Sequence, residues 1–244
     1  MTVRREKAIV TSTDGWFLEV ERFHSDDAKI PIVMFPGYCM NSFVLGYHPR
    51  GVSIAEYFAM HGHETFTANL RGQGNAHSRR RNDKNFGFEE LVLADVPRVL
   101  DWVRETTGRD ELIVVGASLG ATFLFGYLAH HTDDHGLSAV VSLGGPLRWN
   151  SVHPLVKAAF FSPKIASMIP IRKTRSTAQR LLPIVKRMPS VLSIYMNTER
   201  IDLSKAHEFV KTVDDPIPYL NGQIGEWVKS KDLTVNGVNV TDKM

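Results

Sequence analysis

The pentapeptide Gly116-Ala117-Ser118-Leu119-Gly120 sets a serine between two glycines, directly after the apolar run Leu112-Ile113-Val114-Val115 and directly before a second apolar stretch. That spacing suits a serine on a sharp strand-to-helix turn, where its Oγ can attack an acyl carbon and carry the acyl group as a covalent ester. A side chain at either flanking glycine would run into neighbouring backbone. The following helix directs its first amide N–H groups at charge that develops on the substrate. An oxyanion needs two such donors aimed at one point. Leu119, next after the serine, is placed to give one. The second is expected from Phe35-Pro36-Gly37-Tyr38-Cys39-Met40, which closes another apolar strand, with Tyr38 ahead of Cys39 as the donor. Ser118 is thus the candidate nucleophile, Tyr38 and Leu119 are the candidate oxyanion donors, and Gly116 and Gly120 are the residues that permit the turn.

A serine hydroxyl is a weak nucleophile until a histidine takes its proton, and that histidine needs an orienting carboxylate. No histidine declares itself as that base. His130, His131 and His135 fall at the far end of the helix begun at Ser118, nearly ~20 Å away at about 1.5 Å per residue. A solvated helix terminus accounts for them. His61 and His63 lead into the amino end of a strand and so belong to the opposite rim. His48 and His77 fall on rim loops, and His153 and His207 in a later helical region; each reads first as a surface residue. Asp202 stands near His207 in sequence, which does not define a triad. The loop Asn69-Leu70-Arg71-Gly72-Gln73-Gly74 reads as a turn with a structural arginine, because it lacks the glycine spacing and helix start of a phosphate-binding fingerprint.

Positioning these residues requires a layered core. Lys7 to Thr11 and Trp16 to Arg22 read as strands joined at Thr13-Asp14-Gly15; Ile30 to Phe35, Glu64 to Asn69, Glu111 to Val115 and Ser138 to Leu143 read as further strands. Helical spacing covers Val52 to His61, Phe88 to Thr106 (Leu91, Ala94, Val99, Leu100 and Val103 as its apolar stripe) and Leu119 to His131. Strands alternating with helices predict an α/β fold with a mostly parallel twisted sheet and flanking helices. Such sheets bind substrates at the carboxyl ends of their strands. The loops after Phe35, Asn69, Val115 and Leu143 are therefore expected on one rim. Residues 1–150 read as the core, 151–232 as a basic, proline-divided helical cap, and 233–244 as an extended tail.

Composition narrows the setting. The 244 residues are 43% hydrophobic and 23% charged, with a formal charge of +3, which is ordinary for a globular chain and demands no nucleic acid. One cysteine, Cys39, excludes an intramolecular disulfide and a cysteine-based metal site. The amino terminus is polar and shows no secretory signal, so a cytoplasmic setting is expected. The uncharged run Leu112 to Ala129 matches a membrane span in length, but its β-branched start and glycine break read better as strand, turn and buried helix. Arg79-Arg80-Arg81 and the cap residues Lys157, Lys164, Arg172, Lys173, Arg175, Arg180, Lys186 and Arg187 would allow peripheral contact with anionic lipid, although solvated helix faces are the commoner explanation for such modest single-sign clustering.

Taken in order, the strand followed by Pro36-Gly37, then Asn69-x-Arg71-Gly72-x-Gly74, then Gly116-x-Ser118-x-Gly120 resembles the α/β-hydrolase superfamily. Asn69-Leu70-Arg71-Gly72, Phe86 to Asp95 and Thr107-Gly108 are similar to its acid lipase and related esterase branch. The cap and tail resemble polyhydroxyalkanoate synthase-like members, which usually carry cysteine where Ser118 stands. The likeness covers about Lys7 to Pro146. Members usually have His-Gly at Pro36-Gly37 and often Asp at Asn69; neither change removes a proton-transfer group. The resemblance implies an ester hydrolase acting through an acyl-enzyme on Ser118, on a small-molecule or lipid ester, with no metal or organic cofactor. In this superfamily the acid and histidine follow the nucleophile, so both are expected beyond Met244, along with the last strands of the core. The chain expressed alone is then expected to be poorly soluble and of uncertain activity. A polyester synthase-like acyltransferase and a non-catalytic binding protein are the alternatives.

Overall fold

The computed structural model describes residues 2–24, 29–79, 85–152, 154, 157, 160, 162, 172–185, 187 and 202–244. The strands are β1 (Arg4–Thr11), β2 (Trp16–His24), β3 (Lys29–Phe35), β4 (His63–Asn69), the two-residue β5 (His77–Ser78), β6 (Leu112–Ala117) and β7 (Leu137–Leu143). They form one seven-stranded sheet in the order β1-β2-β4-β3-β6-β7, with β5 attached to β2. β1, β2 and β4 pair antiparallel, whereas β4, β3, β6 and β7 run parallel. The central strands are uninterrupted apolar runs because both of their faces are covered. Val33, Phe35, Phe66, Ala68 and Val114 are fully buried.

Helix α2 (Ile54–Met60), which follows the one-turn α1 (Phe43–Gly46), begins two residues later than its apolar spacing suggests, because Ser53 caps it. Glu56 N donates to Ser53 Oγ at 3.2 Å and Ser53 N to Glu56 Oε2 at 2.8 Å, a reciprocal pair that satisfies two otherwise orphaned donors. The helix expected over Phe88 to Thr106 is three segments: a short turn Phe88–Glu90 (α3), a π-helical turn Leu91–Asp95, and α4 (Val96–Thr107). Pro97 lacks the N–H that would bond Leu93, so the ladder changes register there. The shift also revises the stripe. Val92 and Val96 are buried along with Leu91, Val99, Leu100 and Val103, while Ala94 is only partly covered. Gly108, at φ 65°, closes α4 by donating to Arg104 O. The uncharged run resolves into β6, a turn and α5 (Leu119–His130), and no described helix is long and apolar enough to cross a membrane.

Beyond β7 the described residues include the helices Thr174–Val185, Ala206–Phe209 and Pro218–Ser230. The last places Leu220, Ile224 and Trp227 in the same apolar cluster as the sheet. Residues 233–244 are not an extended tail. Thr234–Val235 and Val238–Asn239 form a hairpin (β8, β9) and Val240–Lys243 a short helix. The corner residues Asn236 and Gly237 take φ 44° and 79°, the positive pair that a two-residue hairpin demands. Leu233, Val235 and Val240 are buried in the main core, so the segment read as an extended tail packs one face against it.

Candidate active site

The carboxyl ends of three parallel strands meet at Ser118. Phe35 is in register with Gly116, and Ala117 with Leu143, so the loops after β3, β6 and β7 leave the sheet side by side. Ser118 is exposed to solvent and takes φ 51° and ψ −125°, a conformation that costs a non-glycine residue about 1–3 kcal/mol. Surrounding bonds fix it: Ser118 N donates to Leu143 O at 2.9 Å, and Ala121 N to Ser118 O at 3.0 Å. A Cβ on Gly116 would lie 2.4 Å from the Ala121 backbone, and one on Gly120 2.5 Å from Phe35 O. The first would push the start of α5 off β6, and the second would push the turn off the end of β3. Gly37 backs onto the serine, since a Cβ there would stand 3.0 Å from Ser118 Cβ.

The structure brings the β3 loop, which carries Tyr38, against the start of α5, which carries Leu119. Among the described residues neither Tyr38 N nor Leu119 N has a protein acceptor. The Tyr38 hydroxyl donates to Asn221 and accepts from Ile217 N at 3.1 Å. Burial is the main cause that pushes its pKa far above the ordinary phenol value. Cys39, at φ 55°, has its thiol pushed up to about 12 by burial, with Asp214 and Asp215 adding to the rise; it stays protonated. Asp214 N donates to Cys39 O at 2.8 Å and Asn41 N to Thr212 O at 2.9 Å, and Met40 bridges Val213. The β3 loop is therefore stitched to the segment around residues 211–217. Sequence reasoning did not anticipate that partnership, since nothing local in either stretch signals the other.

Among the described residues no hydrogen bond or ion pair joins a histidine to Ser118. His130 and His131 bond carbonyls of their own helix, Gly126 O and Tyr127 O, and His135 accepts from Leu137 N. His61 and His63 contact Tyr57 O and Ile30 O near the amino ends of the strands, and His77 contacts Asn75 O. His48 borders a cleft of about 320 Å³ that also contains Arg50, Asp202 and Glu208. There Asp202 pairs with Arg50 at 2.6 Å, while His207 pairs with Glu208 at 3.2 Å, so the Asp202–His207 proximity in sequence does not become a pair. Arg175 pairs with Asp214 at 2.8 Å. His153, Arg80, Arg81, Lys164 and Lys186 lie outside the described residues. No group of three or more His, Cys, Asp or Glu side chains converges as a metal site among the described residues.

The arginine of the Asn69–Gly74 loop is structural, as read from the sequence, but its partners Asp95 and Asp14 were not foreseen. Gln73, read only as part of a turn, reaches the β3 loop and donates to Gly37 O at 3.1 Å. The available signal was an uncharged amide between two glycines on a loop already assigned to the rim.

Comparison with known proteins agrees with this geometry. Human lipase member N is 29% identical over 143 residues, covering 52% of this chain and 35% of the human protein. Lipase 1 of Drosophila melanogaster is 27% identical over 122 residues, covering 48% of this chain and 28% of the fly protein. The matched stretch thus spans about a third of each relative's length. Among solved structures, a carboxylesterase of Nitrososphaera gargenis superposes with a TM-score of 0.59 at 13% identity, over 94% of this chain and 74% of that one. A laboratory-evolved potato epoxide hydrolase reaches 0.53 at 15% identity, over 93% and 78%. The shared architecture therefore does not select one chemistry. The family model described as alpha/beta hydrolase fold matches residues 30–167, more than half of the 244-residue sequence. On the strand order, the turn at Ser118 and this match, the chain belongs to the alpha/beta hydrolase fold family.

Proposed function

We propose that this chain carries the nucleophile of a lipase- or esterase-like carboxylic ester hydrolase. Ser118 Oγ attacks the ester carbonyl carbon, and the carbonyl oxygen takes the negative charge between Tyr38 N–H and Leu119 N–H. The alcohol leaves with a proton, and water then releases the acid from the Ser118 ester. The base that accepts the serine proton and the carboxylate that orients it follow Ser118 in chain order in this superfamily, and neither is assigned to a described residue. Residues 1–150 form the core of this reading and residues 151–232 its cap, with the Pro218–Ser230 helix packed onto the core. The observation that carries the proposal is an exposed serine in a strained positive-φ turn, at the meeting of three strand ends. Named lipase relatives support the ester substrate class.

The test is labelling of the full-length protein with a fluorophosphonate, together with turnover of p-nitrophenyl esters. Labelling should map to Ser118, and Ser118→Ala should abolish it and lower turnover by roughly 10⁴-fold or more. Labelling that persists in Ser118→Ala, or a wild type that never labels, sinks the proposal. Transfer of the acyl group to an alcohol in preference to water would move the assignment to an acyltransferase on the same serine.

A further inference from the structure

Gln73 links two rim loops through both ends of its amide. Its Oε1 accepts from Leu70 N at 3.0 Å and its Nε2 donates to Gly37 O at 3.1 Å. The residue is only 8% exposed. Its own loop is braced as well, by Gln73 N to Leu70 O and Ala76 N to Gln73 O, each at 3.0 Å. The carbonyl that Gln73 grips belongs to the same peptide unit as the Tyr38 N–H. A trans peptide is planar, with C=O and N–H pointing in opposite directions. Fixing the oxygen therefore fixes the aim of the hydrogen. Within its own loop Gly37 O also accepts from Met40 N, at the longer distance of 3.3 Å, and Gly37 has no Cβ to restrict rotation on its side of that peptide, so the shorter bond from Gln73 adds the anchor from outside the loop. The far side is anchored through the Tyr38 hydroxyl, which bonds Ile217 N and Asn221.

The geometry points to Gln73 as the positioning residue that aims the Tyr38 N–H at the developing oxyanion. This role rests on the ester-hydrolase reading above. The amide is specific to the task. One end must accept an N–H while the other donates to a carbonyl. Glutamate has nearly the same shape but would set a carboxylate oxygen against Gly37 O. Leucine would leave Gly37 O without this donor and Leu70 N without its acceptor.

The full-length wild type, Gln73→Glu and Gln73→Leu test the assignment through four readouts. These are the rate of fluorophosphonate labelling, kcat and KM on a p-nitrophenyl ester per titrated active site, the Tyr38 amide ¹⁵N resonance, and the melting temperature. Removing an oxyanion donor outright lowers kcat by about 10²–10³-fold. Misaiming one should lower it about tenfold to a hundredfold in both variants, with KM changed less than about threefold and labelling slowed in parallel. The Tyr38 amide resonance should move in both. If the leucine variant fails to fold, the near-isosteric glutamate variant carries the test alone. A labelled wild type whose Gln73 variants keep wild-type kcat per active site overturns the role and leaves the hydrolase reading intact. So does loss of activity that merely tracks loss of folded protein. A wild type that does not label overturns both together.

Discussion

Glu19 is a carboxylate placed inside the sheet, and it governs what its neighbours can be. It is 8% exposed and accepts from Asn69 Nδ2 at 2.8 Å, Asn75 Nδ2 at 2.9 Å and Asn75 N at 3.3 Å, with Lys7 Nζ at 3.4 Å. Asn69 answers with its other end, accepting from Ser42 N at 2.6 Å beside the β3 loop. An aspartate at position 69 would set two carboxylates face to face, so the asparagine and Glu19 explain each other. Burial works to raise the Glu19 pKa, but hydrogen bonds from Asn75 and Asn69 and the charge of Lys7 outweigh it and leave it below its ordinary 4.5. The unfolded chain therefore takes up this proton first on acidification. The stability Glu19 contributes is complete above the ordinary value of 4.5 and is lost as pH falls through the lowered native value. Glu19→Gln, which turns an NH₂ toward donors, should cost about 1–3 kcal/mol at pH 7. Urea melts should show that deficit shrinking at pH 3; a deficit independent of pH contradicts the account. The turn at Ser118 was legible because its glycines are adjacent in sequence. Glu19 and Gln73 were not, because their partners stand 50 and 36 positions away.

Elements buried on both faces are legible as uninterrupted apolar runs. β3, β4, β6 and α5 fall within a few residues of their apolar runs, since burial left no polar face to blur their limits. The π turn at Leu91–Asp95 was less legible: Pro97 marks where the ladder must break, but what the break delivers is tertiary. It delivers Asp95 to Arg71, which bonds Asp95 Oδ2 through Nε at 2.9 Å and Oδ1 through Nη2 at 2.7 Å. Arg71 also grips Asp14 Oδ2 at 2.7 Å and lies over Trp16 and Phe86, 5.4 and 5.8 Å from the ring centroids. One guanidinium thus ties the β1–β2 turn, the loop after β4 and the π turn. Burial opposes its charge, yet bonding and attraction from Asp95 and Asp14 raise its pKa above the ordinary value. Asp95→Ala should cost about 3–5 kcal/mol in urea unfolding, because it leaves a buried cation without its bidentate partner. Asp14→Ala should cost about 1 kcal/mol or less, its carboxylate being 43% exposed. Equal losses would contradict this division.

At the scale of the whole molecule, the two edges of the sheet are finished differently. β1 opens with Arg4, Arg5, Glu6 and Lys7, all exposed, and charges along an edge oppose pairing with another chain. β7 reads Leu-Ser-Ala-Val-Val-Ser-Leu, without a charge. It pairs with β6 on one side, and among the described residues no strand pairs with the other. Val141 is 42% exposed and Leu143 45%. β7 is thus an uncharged strand with partly exposed apolar side chains, and such strands template association. A lysine on it supplies the charge that β1 already has. Val141→Lys should reduce concentration-dependent light scattering of the purified chain while changing its unfolding free energy by no more than about 0.5 kcal/mol, since the side chain it replaces is half exposed. Scattering that is unchanged by Val141→Lys yet falls when charge is placed elsewhere would mean that net charge, and not the β7 edge, controls association.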